Sequence, residues 1–128
     1  MTMECSTRQN GDVTILDLKG RLSLGEAVAF GPGSDLVLRD AVRQLGESGQ
    51  KKILLNLAGV GYVDSSGVGQ LVGALTTARN HGITLKLLNP VRQVLDLLKM
   101  TKLSTVFDVQ MDEGTAIESF SKTAVAGA

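Results

Sequence analysis

Aromatic residues are scarce in this chain. They make up 3% of its 128 residues, with one tyrosine and no tryptophan. That excludes the stacking platforms on which single-strand and RNA readers hold bases. It also leaves the core to leucine, valine, isoleucine and alanine. Neither sign of charge is in excess: 13 Lys and Arg balance 13 Asp and Glu. A dedicated nucleic-acid binder would carry a basic stripe, so no direct nucleic-acid contact is expected. The single cysteine, Cys5, cannot form an internal disulfide, which fits a reducing compartment. With one Cys, one His and no carboxylate cluster of recognisable spacing, no metal site is expected. No apolar run approaches the roughly 20 residues of a membrane span. The start, Met1-Thr2-Met3-Glu4-Cys5, lacks the basic and apolar segments of a signal peptide. The expectation is a cytoplasmic protein with no membrane partner.

What is present is a hydrophobic content of 43% in a chain of single-domain length. Such a chain can bury roughly two-thirds of its unfolded surface. Residues 3–9 read as a strand, Asn10-Gly11 as a hairpin turn and 13–19 as the returning strand, ended by Gly20. The apolar alternation slips between Ile15 and Leu16, which predicts a strand covered on both faces or a bulge. Residues 25–33 are glycine-rich and read as a mobile loop or a short turn of helix flanked by loop. Ser34 or Asp35 can cap a helix whose inner face is Leu38, Val42 and Leu45. Residues 52–57 form a buried central strand. Residues 65–80 form a second helix, closed by His81-Gly82. Ile83, Leu85, Leu87 and Leu88 mark another buried strand. Asn89 as cap and Pro90 at the first helical position predict a third helix with Val91, Val94, Leu95 and Leu98. Residues 106–109 read as a short last strand. A fourth helix follows from Asp112 to about Phe120, with Ala116, Ile117 and Phe120 inward. The order β β α β α β α β α predicts a single α/β domain over residues 1–122. Its sheet is mixed, with four to five strands and about four helices packed mainly on one face, and 123–128 form a flexible tail.

The richest stretch is Asp64-Ser65-Ser66-Gly67, between the buried run Ile53-Leu54-Leu55-Asn56-Leu57 and the helical stripe Val68, Leu71, Val72 and Leu75. Two hydroxyls thus stand where a strand gives way to a helix, at an end whose open N–H groups favour an anion. Asp64 or Ser65 capping the helix is one reading, at about 1 kcal/mol. Three capping-type residues in a row exceed what one cap needs. Gly67 and Gly69 each cost up to about 1 kcal/mol against Ala, and they leave the backbone open to a partner. A phosphate on Ser65 would be favoured by the helix end and opposed by Asp64. The fold should survive it, whereas a tightly packed or acidic interface would not. A nucleophilic role lacks its base. The G-x-S-x-G elbow is missing, and the sole histidine, His81, lies roughly 24 Å away along the same helix. No G-x-x-x-x-G-K-[ST] loop occurs, and Gly67-Val68-Gly69-Gln70-Leu71-Val72-Gly73 misses G-x-G-x-x-G by one position. No cofactor is expected.

Leu54-Leu55-Asn56-Leu57, then Val63-Asp64-Ser65-Ser66-Gly67-Val68-Gly69, then Leu85-Lys86-Leu87-Leu88-Asn89 together resemble the STAS domain of bacterial anti-sigma factor antagonists. The resemblance continues through Leu97-Leu98-Lys99-Met100-Thr101-Lys102-Leu103 and Val106-Phe107. It implies a non-enzymatic regulator of transcription that works by partner switching, as in stress responses. The unphosphorylated protein would bind an anti-sigma factor that is a GHKL-type serine kinase, freeing the sigma factor. Phosphorylation of Ser65 would end that binding, and a PP2C-type phosphatase would restore it. The partner contact would be framed by Asp64, Ser65, Ser66, Gly67, Gly69 and Ser23, in a monomer or weak homodimer. The loop Arg21-Leu22-Ser23-Leu24-Gly25 is followed by an extra stretch, 26–33, that departs from the family's usual short loop and bears on partner choice. Two other functions fit the same residues. One is a non-phosphorylated STAS scaffold in a signalling or lipid-transport assembly. The other is a small hydrolase using Ser65.

Overall fold

The structure, a computed structural model, describes residues 3–22, 28–29, 35–36 and 38–126. Strands β1 (Met3–Asn10) and β2 (Val13–Leu22) form the expected antiparallel hairpin, with Asn10 opposite Val13. Two-residue pieces follow, β3 (Val28–Ala29) and β4 (Asp35–Leu36), which extend the sheet beyond β1. Then come α1 (Leu38–Glu47), β5 (Lys52–Val63), α2 (Ser65–Asn80), β6 (Thr84–Leu88) and α3 (Arg92–Met100). A 3-10 turn (Leu103–Thr105), β7 (Val109–Gln110) and α4 (Glu113–Ala126) complete the chain. The sheet order is β4-β3-β1-β2-β5-β6-β7, antiparallel in the hairpin and parallel from β2 to β7. The fold class is the predicted α/β domain: a mixed sheet of four long strands and three two-residue ones, with four helices.

The strands' two faces are covered unequally. Leu16, Leu18, Ile53, Leu55, Leu57, Leu85 and Leu87 meet Leu38, Val42, Leu71, Ala74, Leu75, Val94 and Leu98 from α1, α2 and α3. On the other face, among the described residues, Val13, Ile15, Leu54 and Leu88 meet α4 through Ala116 and Phe120 with Ile117 at the margin. Val13, Thr14, Ile15 and Leu16 are all buried, so the slip in alternation marks a strand covered on both faces.

Several boundaries differ from the sequence expectation, each for a local reason. β2 continues through Gly20 to Leu22, and β5 continues past Leu57 to Val63, because the two strands pair along their whole length with two register shifts. Asp35 does not cap α1: its backbone pairs with Ala29, three residues before Leu38 opens the helix. Ser34 lies outside the described residues, as do Ser23 and residues 25–27 and 30–33 of the glycine-rich stretch. Within that stretch Val28–Ala29 is strand, pairing with β1. Asn89 does not cap α3 either. It takes a left-handed conformation with φ 51°, which asparagine tolerates, and Val91 holds the cap position. The last strand starts at Val109 rather than 106, because the Phe107 N–H still bonds back to Leu103 O at 2.9 Å. α4 begins after Asp112, whose Oδ2 accepts the Thr115 N–H at 2.9 Å. Its backbone is helical past Phe120 to Ala126.

Candidate functional site

β5 and α2 meet at Asp64. This residue has extended backbone (φ −99°, ψ −174°), and its Oδ1 accepts the Gly67 N–H at 2.8 Å. Its carbonyl accepts the Val68 N–H at 2.9 Å, the first helical bond. Asp64 is therefore the N-cap, which removes the cap role from both serines. Neither Ser65 nor Ser66 has a hydrogen-bonded hydroxyl among the described residues. Ser65 is exposed and Ser66 half-buried.

The turn is fastened to the end of β2. The Asp64 N–H donates to Leu22 O at 3.3 Å. Gly67 is buried beneath that same carbonyl, and a Cβ there would overlap Leu22 O. The close approach that Gly67 permits is thus to the chain's own backbone. Gly69 is different: it is exposed, with open space where a Cβ would stand. Ser65, Gly69 and Val72 are all exposed at helical spacing on one face of α2, with Val72 37% exposed.

The structure adds neighbours that the sequence did not single out. Tyr62 is 39% exposed, and the Arg21 guanidinium lies over its ring at 4.5 Å from the centroid. Tyr62 and Val63 also line an open groove of about 370 Å³ with Gln93, Asp96, Leu97 and Met100 of α3. Met100 is 81% exposed. A tyrosine two residues before the Asp-Ser-Ser-Gly turn was the available sequence signal. Its pairing with Arg21 depends on the register of β2 and β5, which sequence does not supply.

His81 stands at the opposite end of α2. Its N–H closes the helix on Thr77 O and Ala78 O, and its Nδ1 lies 2.9 Å from Thr77 O. The fold keeps it away from Ser65, so the serine turn has no imidazole base. Among the described residues no group of three or more His, Cys, Asp or Glu could hold a metal ion. No helix there is long and apolar enough to cross a membrane. Cys5 packs against the core beside β2, where burial and then the charge of Asp17 push its thiol up to about 12.

A family model described as STAS domain matches residues 4–116. Solved structures of similar fold include a Thermotoga maritima protein assigned as an anti-sigma factor antagonist. It is 21% identical, with 90% of this chain and 92% of that one covered and a TM-score of 0.71. An anti-sigma factor antagonist from Mycobacterium paratuberculosis is 12% identical, with coverage of 92% and 93% and a TM-score of 0.73. The anti-sigma factor antagonist SpoIIAA, a Bacillus cell fate determinant, is similar in two states. Its unphosphorylated form is 21% identical (coverage 91% and 96%, TM-score 0.59). Its phosphorylated form is 19% identical (coverage 91% and 98%, TM-score 0.62). At these identities the likeness is one of fold.

Proposed function

The chain belongs to the STAS domain family, and on that premise we propose that it is an anti-sigma factor antagonist switched by phosphorylation of Ser65. Unphosphorylated, it binds an anti-sigma factor of the GHKL serine-kinase type and frees the sigma factor. The kinase modifies Ser65 and binding is lost; a PP2C-type phosphatase restores it. The carrying observation is the division of labour in the turn: Asp64 caps α2, and Ser65 is exposed with no hydrogen bond to its hydroxyl among the described residues. A hydroxyl so placed can be modified without disturbing the helix. That SpoIIAA has been solved both with and without its phosphate supports the same reading.

The physical chemistry supports a switch of contacts rather than of fold. Phosphate adds about −1.5 to −2 charges and three acceptor oxygens. At the first turn of α2 the helix end favours that charge, while the adjacent Asp64 opposes it. The phosphate would project from the exposed face of Ser65, Gly69 and Val72, where a close-packed partner has no room for it. Tyr62 lies just before this turn in β5, and with the groove beside α3 it offers further contact. The role is binding, not turnover.

The test has two parts. Intact-mass and peptide mass spectrometry of protein isolated from its own cells should find phosphate on Ser65. Ser65→Asp should keep the fold and lose the kinase partner, whereas Ser65→Ala should bind it. Equal binding by both, with no phosphate under any growth or stress condition, would replace the switch with a constitutive scaffold.

A further inference from the structure

Asn56 lies in the Leu-Asn-Leu run of β5, and both ends of its carboxamide are engaged. Nδ2 donates to Asp17 Oδ1 at 2.7 Å, and Oδ1 accepts the Ala58 N–H at 3.1 Å. Asp17 is gripped in turn by Arg8, with Nε at 2.5 Å and Nη2 at 2.9 Å, and Arg8 also reaches Glu113 of α4 at 2.8 Å.

This clamp stands where β2 and β5 lose register. Asp17 pairs with Asn56, but Lys19 pairs with Gly59, so β5 accommodates one extra residue there. Bulges between parallel strands are rare, and they pull an N–H out of the ladder. Here the Ala58 N–H lies inside the bulge and Asn56 Oδ1 supplies its acceptor. Gly59 completes it: a Cβ there would stand 2.7 Å from Leu18 O. A second extra residue follows, since Gly20 pairs with Val60 and Arg21 with Tyr62. By its end β5 has gained two residues on β2, and Val63 lies beside Leu22. That offset lets the Asp64 N–H reach Leu22 O and seats Gly67 beneath it.

We propose that Asn56 is the positioning residue of the Ser65 turn: clamped between Asp17 and the Ala58 N–H, it fixes the bulge in β5 and so where Asp64 and Ser65 stand against the end of β2. It touches neither serine and acts through the strand. The inference rests on the preceding section only in taking this turn as the site; its test is on the free protein and needs no kinase.

The experiment is residue-resolved amide hydrogen exchange by NMR on the wild type and Asn56→Ala. Losing such a hydrogen bond is worth about 1 kcal/mol, so exchange at Ala58 and Asp64 should quicken about fivefold. Leu75 and Ala78, in the middle of α2, should keep their protection. Should Asn56→Ala fail to fold, Asp17→Asn loosens the same clamp with no change of shape, and Asp64 should again quicken selectively. In the Asn56→Ala/Asp17→Asn double variant the effect at Asp64 should be less than additive. An unchanged Asp64, uniform acceleration through α2, or strict additivity would overturn the proposal. If Asp64 responds as expected but Ser65 is never phosphorylated, the positioning role stands and the switch falls. If Ser65 is phosphorylated and Asp64 is indifferent to Asn56, the reverse holds.

Discussion

Gly67 and Gly69 look alike in the sequence, two small residues in the first turns of one helix, and the fold separates them. A side chain at Gly67 would enter the space of the Leu22 carbonyl, which is backbone and cannot swing aside. Gly67→Ala should therefore destabilise the protein by about 2 kcal/mol, in the range of overpacked cores. Gly69 faces open space, so Gly69→Ala should stabilise α2 by up to about 1 kcal/mol through helix propensity alone. Urea denaturation of the two variants checks both signs; equal effects would mean that β2 does not press on the turn. Asp64→Ala removes the cap and should cost about 1 kcal/mol. The neighbouring serines bear no such duty, and Ser65→Ala should unfold within about 0.5 kcal/mol of the wild type. Capping was legible in the residue types of the turn, but not which residue caps. That was decided by the extended backbone of Asp64 at the end of β5.

Among the elements, α4 depends most on polar contacts. Among the described side chains its apolar hold on the sheet is Ala116 and Phe120 with Ile117, fewer than α1 to α3 share on the other face. Two clasps supplement it. Arg8 bridges Asp17 and Glu113 at the start of the helix. Midway, the buried Lys86 ammonium donates to Ser119 Oγ at 2.8 Å, pairs with Asp108 at 3.0 Å and lies over the Phe120 ring. The hydrogen bond from Arg8 is the main cause holding the Asp17 carboxyl below its usual range, helped by the Asn56 amide and opposed by partial burial. A carboxylate with a depressed folded pKa lends stability that is complete above its unfolded value. That stability is lost as pH falls through the folded one. Asp112 is held low in the same direction by the Thr115 N–H it accepts, so acidification below about pH 4 should weaken this cap together with the Arg8 clasp and release the start of α4 first. Hydrogen exchange across an acid series would show Thr115 to Ile117 losing protection before Leu54 and Leu55; simultaneous loss would mean that the clasp adds nothing. The starts of α3 and β7 were misread in sequence. They depend on a left-handed Asn89 and a turn closed by Phe107, neither of which alters hydrophobic periodicity.

At the scale of the whole molecule, the α/β class, the hairpin and the limits of α2 were legible because each follows from near-neighbour patterns: alternation, helical spacing, a two-residue turn. The offset between β2 and β5 was not, since register belongs to pairs of strands distant in sequence, and with it went the Arg21–Tyr62 stack and the groove against α3. Composition supplies the last prediction. The formal charge is zero, so one phosphate on Ser65 should shift the protein by about two negative charges at pH 7, a clear step on anion exchange or isoelectric focusing. The acceptor is exposed and the cap belongs to Asp64, so this step should come without a change of fold: far-UV circular dichroism unchanged and Tm within about 3 °C, a shift below that of a 1 kcal/mol perturbation. The chain's one tyrosine provides the internal control. Tyr62 lies three residues before Ser65 and is 39% exposed, and with no tryptophan to mask it, its fluorescence reports on this surface. Partner binding should alter that emission and phosphorylation should remove the response. A large fall in Tm on phosphorylation would instead mean that the switch works by melting α2, and the exposed face of Ser65, Gly69 and Val72 would no longer be the place where binding is decided.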